Sequence, residues 1–271
     1  MTAIAERAPP VHIRHSRRFT TFGMVLIGLW IALALLLIWA LAHSLGGDRL
    51  QAFGGRFFSG FVTTIKLVIL SVAMGAILSI PVAAGRLSKN RIIGALAYCY
   101  SYFFRGSPLI AQLFLIYYGA GEFAGPLKAV GLWWFFRDAF NCAVLSFALN
   151  TAAYQAEILS GSIRNIPHGQ REAAIALGLR RLVILWKIVM PQALIVALRP
   201  YGNEVVLMIK ASAVAAIVTV LDLMGQTRFI FSKTYDLSFY LWAALFYFVL
   251  VELLGRVVNA IERRITRHHI R

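Results

Sequence analysis

The chain has 271 residues, 60% of them hydrophobic and only 14% charged, with 27 Lys and Arg against 11 Asp and Glu for a formal net charge of +16. A soluble domain carries roughly 25% charged residues, so the composition argues against an ordinary water-soluble globule and makes the bilayer the natural solvent for the long apolar runs. In that solvent the positive charge reads as loop charge, not as a nucleic-acid footprint.

The first predicted element is the apolar run at 22–42, FGMVLIGLWIALALLLIWALA, behind the basic segment RHSRR. It is too long for the core of a cleaved signal, and no clear small-residue cleavage site follows it. Crossing the hydrocarbon core takes about 20 mostly apolar residues. Further candidates lie at 58–84, 92–118, 140–159, 192–221 and 239–258. The prediction is an all-α integral membrane protein with six transmembrane helices.

Basic residues concentrate in alternate connections. Arg7, Arg14, Arg17 and Arg18 precede the first run, and Arg86, Lys89 and Arg91 follow the second. Arg164, Arg171, Arg180, Arg181 and Lys187 follow the fourth, and Arg256, Arg263, Arg264, Arg267 and Arg271 close the chain. The other side holds only Arg49, Arg56, Lys128, Arg137, Arg228 and Lys233. Positive charge stays inside, so both termini and the long basic connection after the fourth run are predicted to be cytoplasmic.

Polar residues inside spans are costly and usually face the bundle interior. In the third run, FFRGSPLIAQLFLIYYG, Arg105, Gly106 and Pro108 interrupt the apolar pattern and predict a kink, because proline lacks a donor. In the fourth, Asn150, Tyr154 and Glu157 share a helix face. They read either as a solute path or as interhelical glue, and Glu157 is near enough to the end to be simply solvated. In the fifth, Asn203, Leu207 and Lys210 share a face with Glu204 beside them, and Pro200 and Gly202 predict a weakened helix start. Lys210 reads as path residue or ion-pair partner, and Asp222 as site, gate or exposed loop acid.

Other chemistries are missing from the pattern. No GxxxxGK[ST], HExxH or GxSxG occurs. Cys99 and Cys142 have neither metal-ligand spacing nor a disulfide pattern, so no catalytic residue, metal or cofactor is assigned to this chain.

The cytoplasmic stretch REAAIALGLRRLVILWKIVMPQA carries Glu172-Ala173-Ala174, then Gly178, then Ile188-Val189-Met190-Pro191. This spacing resembles the EAA loop of permease subunits of bacterial ABC importers, with Met190 where the family usually has Leu. RGSPLIAQLFLIYYG, AYQAEILSGSIRNIPHGQREAA and NEVVLMIKASA are similar to segments of the polar amino-acid branch, close to subunits for histidine, lysine, arginine, ornithine or opines. The third departs from the family's usual Thr-Ser-Leu ending.

The resemblance covers about 54–261. It implies the type I ABC importer permease fold and divides the chain into three parts. Residues 1–53 are a basic tail plus an extra first helix, 54–261 the permease core with its coupling loop at about 161–191, and 262–271 a basic tail. It implies a multi-pass protein of the bacterial inner membrane, surrounded by lipid. The implied partners are an ABC ATPase dimer that uses ATP and Mg, a second permease subunit and a periplasmic amino-acid-binding protein, with no nucleic acid. Glu172, Ala173, Ala174, Gly178 and Pro191 are then the ATPase-coupling residues. Asn150, Tyr154, Glu157, Asn203, Glu204 and Lys210 are candidates for the substrate path. Glu172 is expected near the start of a short helix opened by Pro167, where negative charge is favoured. A basic or polar amino acid or an opine is the expected substrate. An importer for glutamine or glutamate is the alternative within the class. An ATP-independent secondary transporter or channel is the alternative outside it, though no inverted repeat is evident.

Overall fold

A computed structural model describes residues 20–44 and 47–266. The basic tails at 1–19 and 267–271, including Arg7, Arg14, Arg17, Arg18, Arg267 and Arg271, lie outside the described residues.

The chain divides into two compact units at Gly46–Gly47. Within the first, helix α1 (Thr21–Ser44) is apolar on every side along TFGMVLIGLWIALALLLIWALA, the pattern of a helix that meets lipid all round.

The second unit begins with α2 (Gly47–Arg86) and continues through α3 (Arg91–Gly106), α4 (Leu109–Glu122), the short α5 (Ala124–Ala129) and α6 (Trp133–Phe136), and α7 (Ala139–Arg164). Next come α8 (His168–Ala176) and α9 (Arg181–Ile184), a π turn at Leu185–Val189, and α10 (Met190–Ser212). A 3-10 turn at Ala213–Val218, α11 (Leu223–Thr234) and α12 (Ser238–Thr266) complete it.

Among the described residues, four helical stretches are long and apolar enough to cross a membrane: Thr21–Ala42, Gln51–Arg86, Arg181–Val218 and Ser238–Ile265. The other two predicted spans differ for physical reasons. The predicted span at 92–118 is two helices, not one kinked helix. Pro108 disfavours the helical conformation of its predecessor, and Ser107 and Pro108 are extended, with ψ of 147° and 133°.

The predicted span at 140–159 is the longer α7, which forms the centre of the unit. Cys142, Ala143, Phe147, Ala148, Ala152, Ala153 and Ala156 are fully buried on it. Because protein covers it, α7 carries Asn150, Thr151, Gln155 and Ser160 without facing lipid. Its small side chains let neighbours approach closely: a Cβ added to Gly75 of α2 would lie 2.3 Å from Thr151 Cγ2.

The fifth predicted span also needs correction. Pro200 and Gly202 do not break it, because α10 runs continuously through both. Gly202 serves packing, since a Cβ there would lie 2.3 Å from Val258 Cγ1 on α12. The irregular backbone is at the ends. Pro191 offers no donor to Lys187 and its ring crowds that carbonyl, and the chain widens into the π turn at Leu185–Val189. Beyond α10 the 3-10 turn ends at Thr219, with a left-handed φ of 68°.

Three apolar clusters run along the unit. Phe57, Leu223, Ile230, Phe239 and Ala243 pack where α2 begins. Leu67, Leu113, Phe147, Met208 and Val218 fill the middle. Ala83, Ala156, Ile163, Ala174, Ile184 and Val189 pack where α2 ends, beneath α8. Asp222 belongs to the first end and is fully buried, not an exposed loop acid. It caps α11 by accepting from Gly225 N at 2.8 Å, and Tyr247 Oη donates to it at 3.2 Å.

Candidate functional site

Two groups of side chains stand out, one on the surface around α8 and one around the break between α3 and α4.

Pro167 is extended and sits immediately before α8, and the helix that follows ends in a Schellman motif. Gly178 N donates to Ile175 O at 2.9 Å and Leu179 N to Ala174 O at 3.2 Å. Gly178 has φ +73° and open space around its Cβ position, so its requirement is a backbone one. Glu172 is the fifth of the nine residues of α8, so the expected charge effect at the helix start does not apply. It is exposed, as are Ala173 and Pro191, whereas Ala174 is buried against the α7 end.

Polar ties hold the segment to the body. Arg171 Nη2 donates to Ile163 O at 3.0 Å. Gln192 Nε2 donates to Gln170 Oε1 at 2.5 Å and to Ile188 O at 2.9 Å. Outward, the surface is strongly apolar: Ile175, Leu177, Leu182 and Trp186 are 62%, 78%, 71% and 65% exposed. The sequence reading did not single these out. The available signal was apolar residues on more sides of a short helix than its own core can cover.

At the helix break, the freed backbone groups find partners. Phe104 O accepts from Gln112 Nε2 at 2.9 Å and from Asn150 Nδ2 at 2.8 Å. Asn150 Nδ2 also donates to Gln112 Oε1 at 3.0 Å, and Gln112 Nε2 to Ser107 Oγ at 2.8 Å. Asn150 therefore satisfies the irregular backbone that Gly106 and Pro108 create.

One level further along α7, Glu157 is paired, not simply solvated. Its Oε1 lies 2.5 Å from Arg86 Nε, and its Oε2 accepts from Arg86 Nη2 at 3.4 Å. Arg105 Nη1 is 4.0 Å from Oε2. The Arg105 guanidinium lies 5.3 Å from the centroid of the Tyr154 ring, and Tyr154 Oη donates to Arg105 O at 3.4 Å. Arg86 in turn lies over the Tyr98 ring, and its carbonyl accepts from Arg164.

Glu204 is buried and accepts from Thr151 Oγ1 at 2.8 Å. Gln155 Nε2 donates to the same hydroxyl and to Val72 O, each at 3.2 Å. Asn203 and Lys210 lie with Leu207 on the adjoining, exposed face of α10, and among the described residues Lys210 makes no ion pair. The structure thus gathers Asn150, Tyr154, Glu157 and Arg105, joins Glu204 to them through α7, and leaves Asn203 and Lys210 apart. Arg86, Gln112, Thr151 and Gln155 were not foreseen. Gln112 alone carried a sequence signal, as a lone amide in the apolar run after Pro108. Among the described residues no group of His, Cys, Asp and Glu is placed to hold a metal ion.

The second unit is thus a helical assembly of long apolar helices with a short surface helix, α8, between α7 and α10. The family model of binding-protein-dependent transport system inner membrane components matches residues 75–267, and the chain belongs to that family, the permease subunits of ABC importers.

It is 42% identical over 214 residues to the nopaline transport system permease protein NocM of Agrobacterium fabrum, covering 79% of this chain and 89% of that one. It is 39% identical over 215 residues to the histidine/lysine/arginine/ornithine transport system permease protein HisM of Salmonella typhimurium, covering 79% and 92%. A crystal structure of an amino acid ABC transporter with histidines matches with a TM-score of 0.70 at 32% identity, covering 80% of this chain and 97% of that chain. The MetNI methionine ABC transporter, inward facing, matches with a TM-score of 0.65 at 20% identity over 78% and 96%, a likeness of fold.

Proposed function

We propose that this chain is the membrane subunit through which an amino acid or opine with a cationic group enters the cell, driven by a separate ATPase. The observation that carries the reading is α8. It is held to α7 and α10 by polar ties, closed by Gly178, and presents Glu172, Ala173, Ile175 and Leu177 outward. Such an apolar surface beside basic loops fits a docking face for a soluble partner. The partner is an ABC ATPase dimer, which binds the ATP and Mg. Glu172, Ala173 and Gly178 belong to the contact, while Ala174 and Pro191 set the helix on its base.

Charge in the connections supports both termini and α8 on the cytoplasmic side of an inner membrane. The opposite end then receives the binding protein named in the family description, and a second permease subunit, a copy or a relative, completes the path. Residues 54–261 form the transporting core, 1–53 add a basic tail and a further lipid-facing helix, and 262–271 form a basic tail. The substrate class follows the names of the relatives, and the polar groups Tyr154, Glu157 and Glu204, with Asn203 and Lys210 on the exposed face of α10, are the residues available to line a path.

Replacing Ile175 and Leu177 by Glu tests the docking face. Co-purification of the ATPase with the permease is expected to drop at least tenfold, the order expected when two buried apolar contacts are lost. Undiminished co-purification contradicts the assignment.

A further inference from the structure

We infer that Arg105 grips the carboxylate of the transported molecule. The inference deepens the amino-acid reading of the preceding section and rests on it.

Its backbone is fixed on both sides. Phe104 O is held by Gln112 and Asn150, and Arg105 O accepts from Tyr154 Oη. The base of the side chain therefore sits on the satisfied break between α3 and α4. Its guanidinium lies near Glu157, about 10 Å of helix rise along α7 from Arg164 at the α8 end. An ionised side chain at such depth faces protein or a water-filled cavity, not lipid.

The guanidinium is only loosely engaged, by the Tyr154 ring and by Glu157 at 4.0 Å. Glu157 is already engaged by Arg86 at 2.5 and 3.4 Å, which leaves Arg105 4.0 Å away, beyond hydrogen-bond range. Arg105 lies by the Tyr154 ring and is 45% exposed. Among the described residues its guanidinium donates no hydrogen bond. A planar fork of donors on a fixed base matches a carboxylate bidentately. Amino acids and opines all carry a carboxylate whatever their side chains, so a single arginine can read the part they share. Glu157, held by Arg86, leaves those donors to a substrate carboxylate.

The test uses the complete importer in nanodiscs, permease with its ATPase and sister subunit, without binding protein. Binding is measured for arginine, histidine, octopine and nopaline, and then for the methyl ester of whichever binds. The acid is expected to bind roughly tenfold to a hundredfold more tightly than its ester, the range of charge-assisted hydrogen bonds. In Arg105→Gln the acid weakens by a similar factor and the preference over the ester disappears. Arg105→Lys keeps charge without the fork and falls between.

Equal binding of acid and ester by the wild-type complex overturns the inference even if the variants fail to assemble. So does an Arg105→Gln complex that keeps the preference. Absence of binding by every compound contradicts the amino-acid reading itself, and the inference with it.

Discussion

Gly178 and Gly202 lack side chains for different reasons. At Gly178 nothing lies near a Cβ, but φ is +73°, a conformation that costs an L-residue about 1–2 kcal/mol. Bulk is therefore not the issue there. Gly178→Asn is expected to keep ATPase coupling, because Asn visits the left-handed region, whereas Gly178→Val lowers transport-stimulated ATP hydrolysis. Equal behaviour of the two variants contradicts the backbone account. At Gly202 the backbone is ordinary helix, and a Cβ would lie 2.3 Å from Val258 Cγ1. Gly202→Leu is expected to destabilise the α10–α12 contact by about 1–3 kcal/mol, read as a lower midpoint of thermal unfolding in detergent. Gln112→Leu removes one of two donors to Phe104 O, Asn150 keeping the other, and should cost about 0.5–1.5 kcal/mol by the same measurement. An unchanged midpoint excludes a structural role for the amide.

At the scale of elements, the sequence disclosed where the chain is irregular better than what the irregularity does. Pro108 marked a disturbance in the third run, and the outcome was a complete break, because Gln112 and Asn150 satisfy the carbonyl of Phe104 from other helices. That compensation depends on tertiary contact and has no local signature. Pro200 and Gly202 carried the same local signal, yet α10 continues through them because Gly202 lets α12 approach. The α8 segment was the most legible, since its glycine and proline fix backbone geometry through nearest neighbours alone. Its outward apolar surface was less so, because exposure depends on what covers the far side. Ile175 is 62% exposed there. Ile175→Ala is expected to leave the fold intact and weaken ATPase co-purification, a pattern opposite to that of a core residue.

For the whole molecule, the division of labour is spatial. Within the second unit α7 is central and its Asn150, Thr151 and Gln155 are hydrogen-bonded by protein, and the polar ties of Arg171 and Gln192 join α8 to the ends of α7 and α10. In the proposed mechanism a push on α8 reaches the helices that carry Glu157 and Glu204. The most direct test of this account is uptake of radiolabelled arginine, histidine or opine into proteoliposomes holding the assembled complex, with binding protein outside and ATP inside. The account predicts uptake that requires ATP and the binding protein, and that falls at least tenfold, a barrier change of about 1.4 kcal/mol, when Gly178 becomes Val. Uptake that proceeds without ATP, or is indifferent to Gly178, would contradict it.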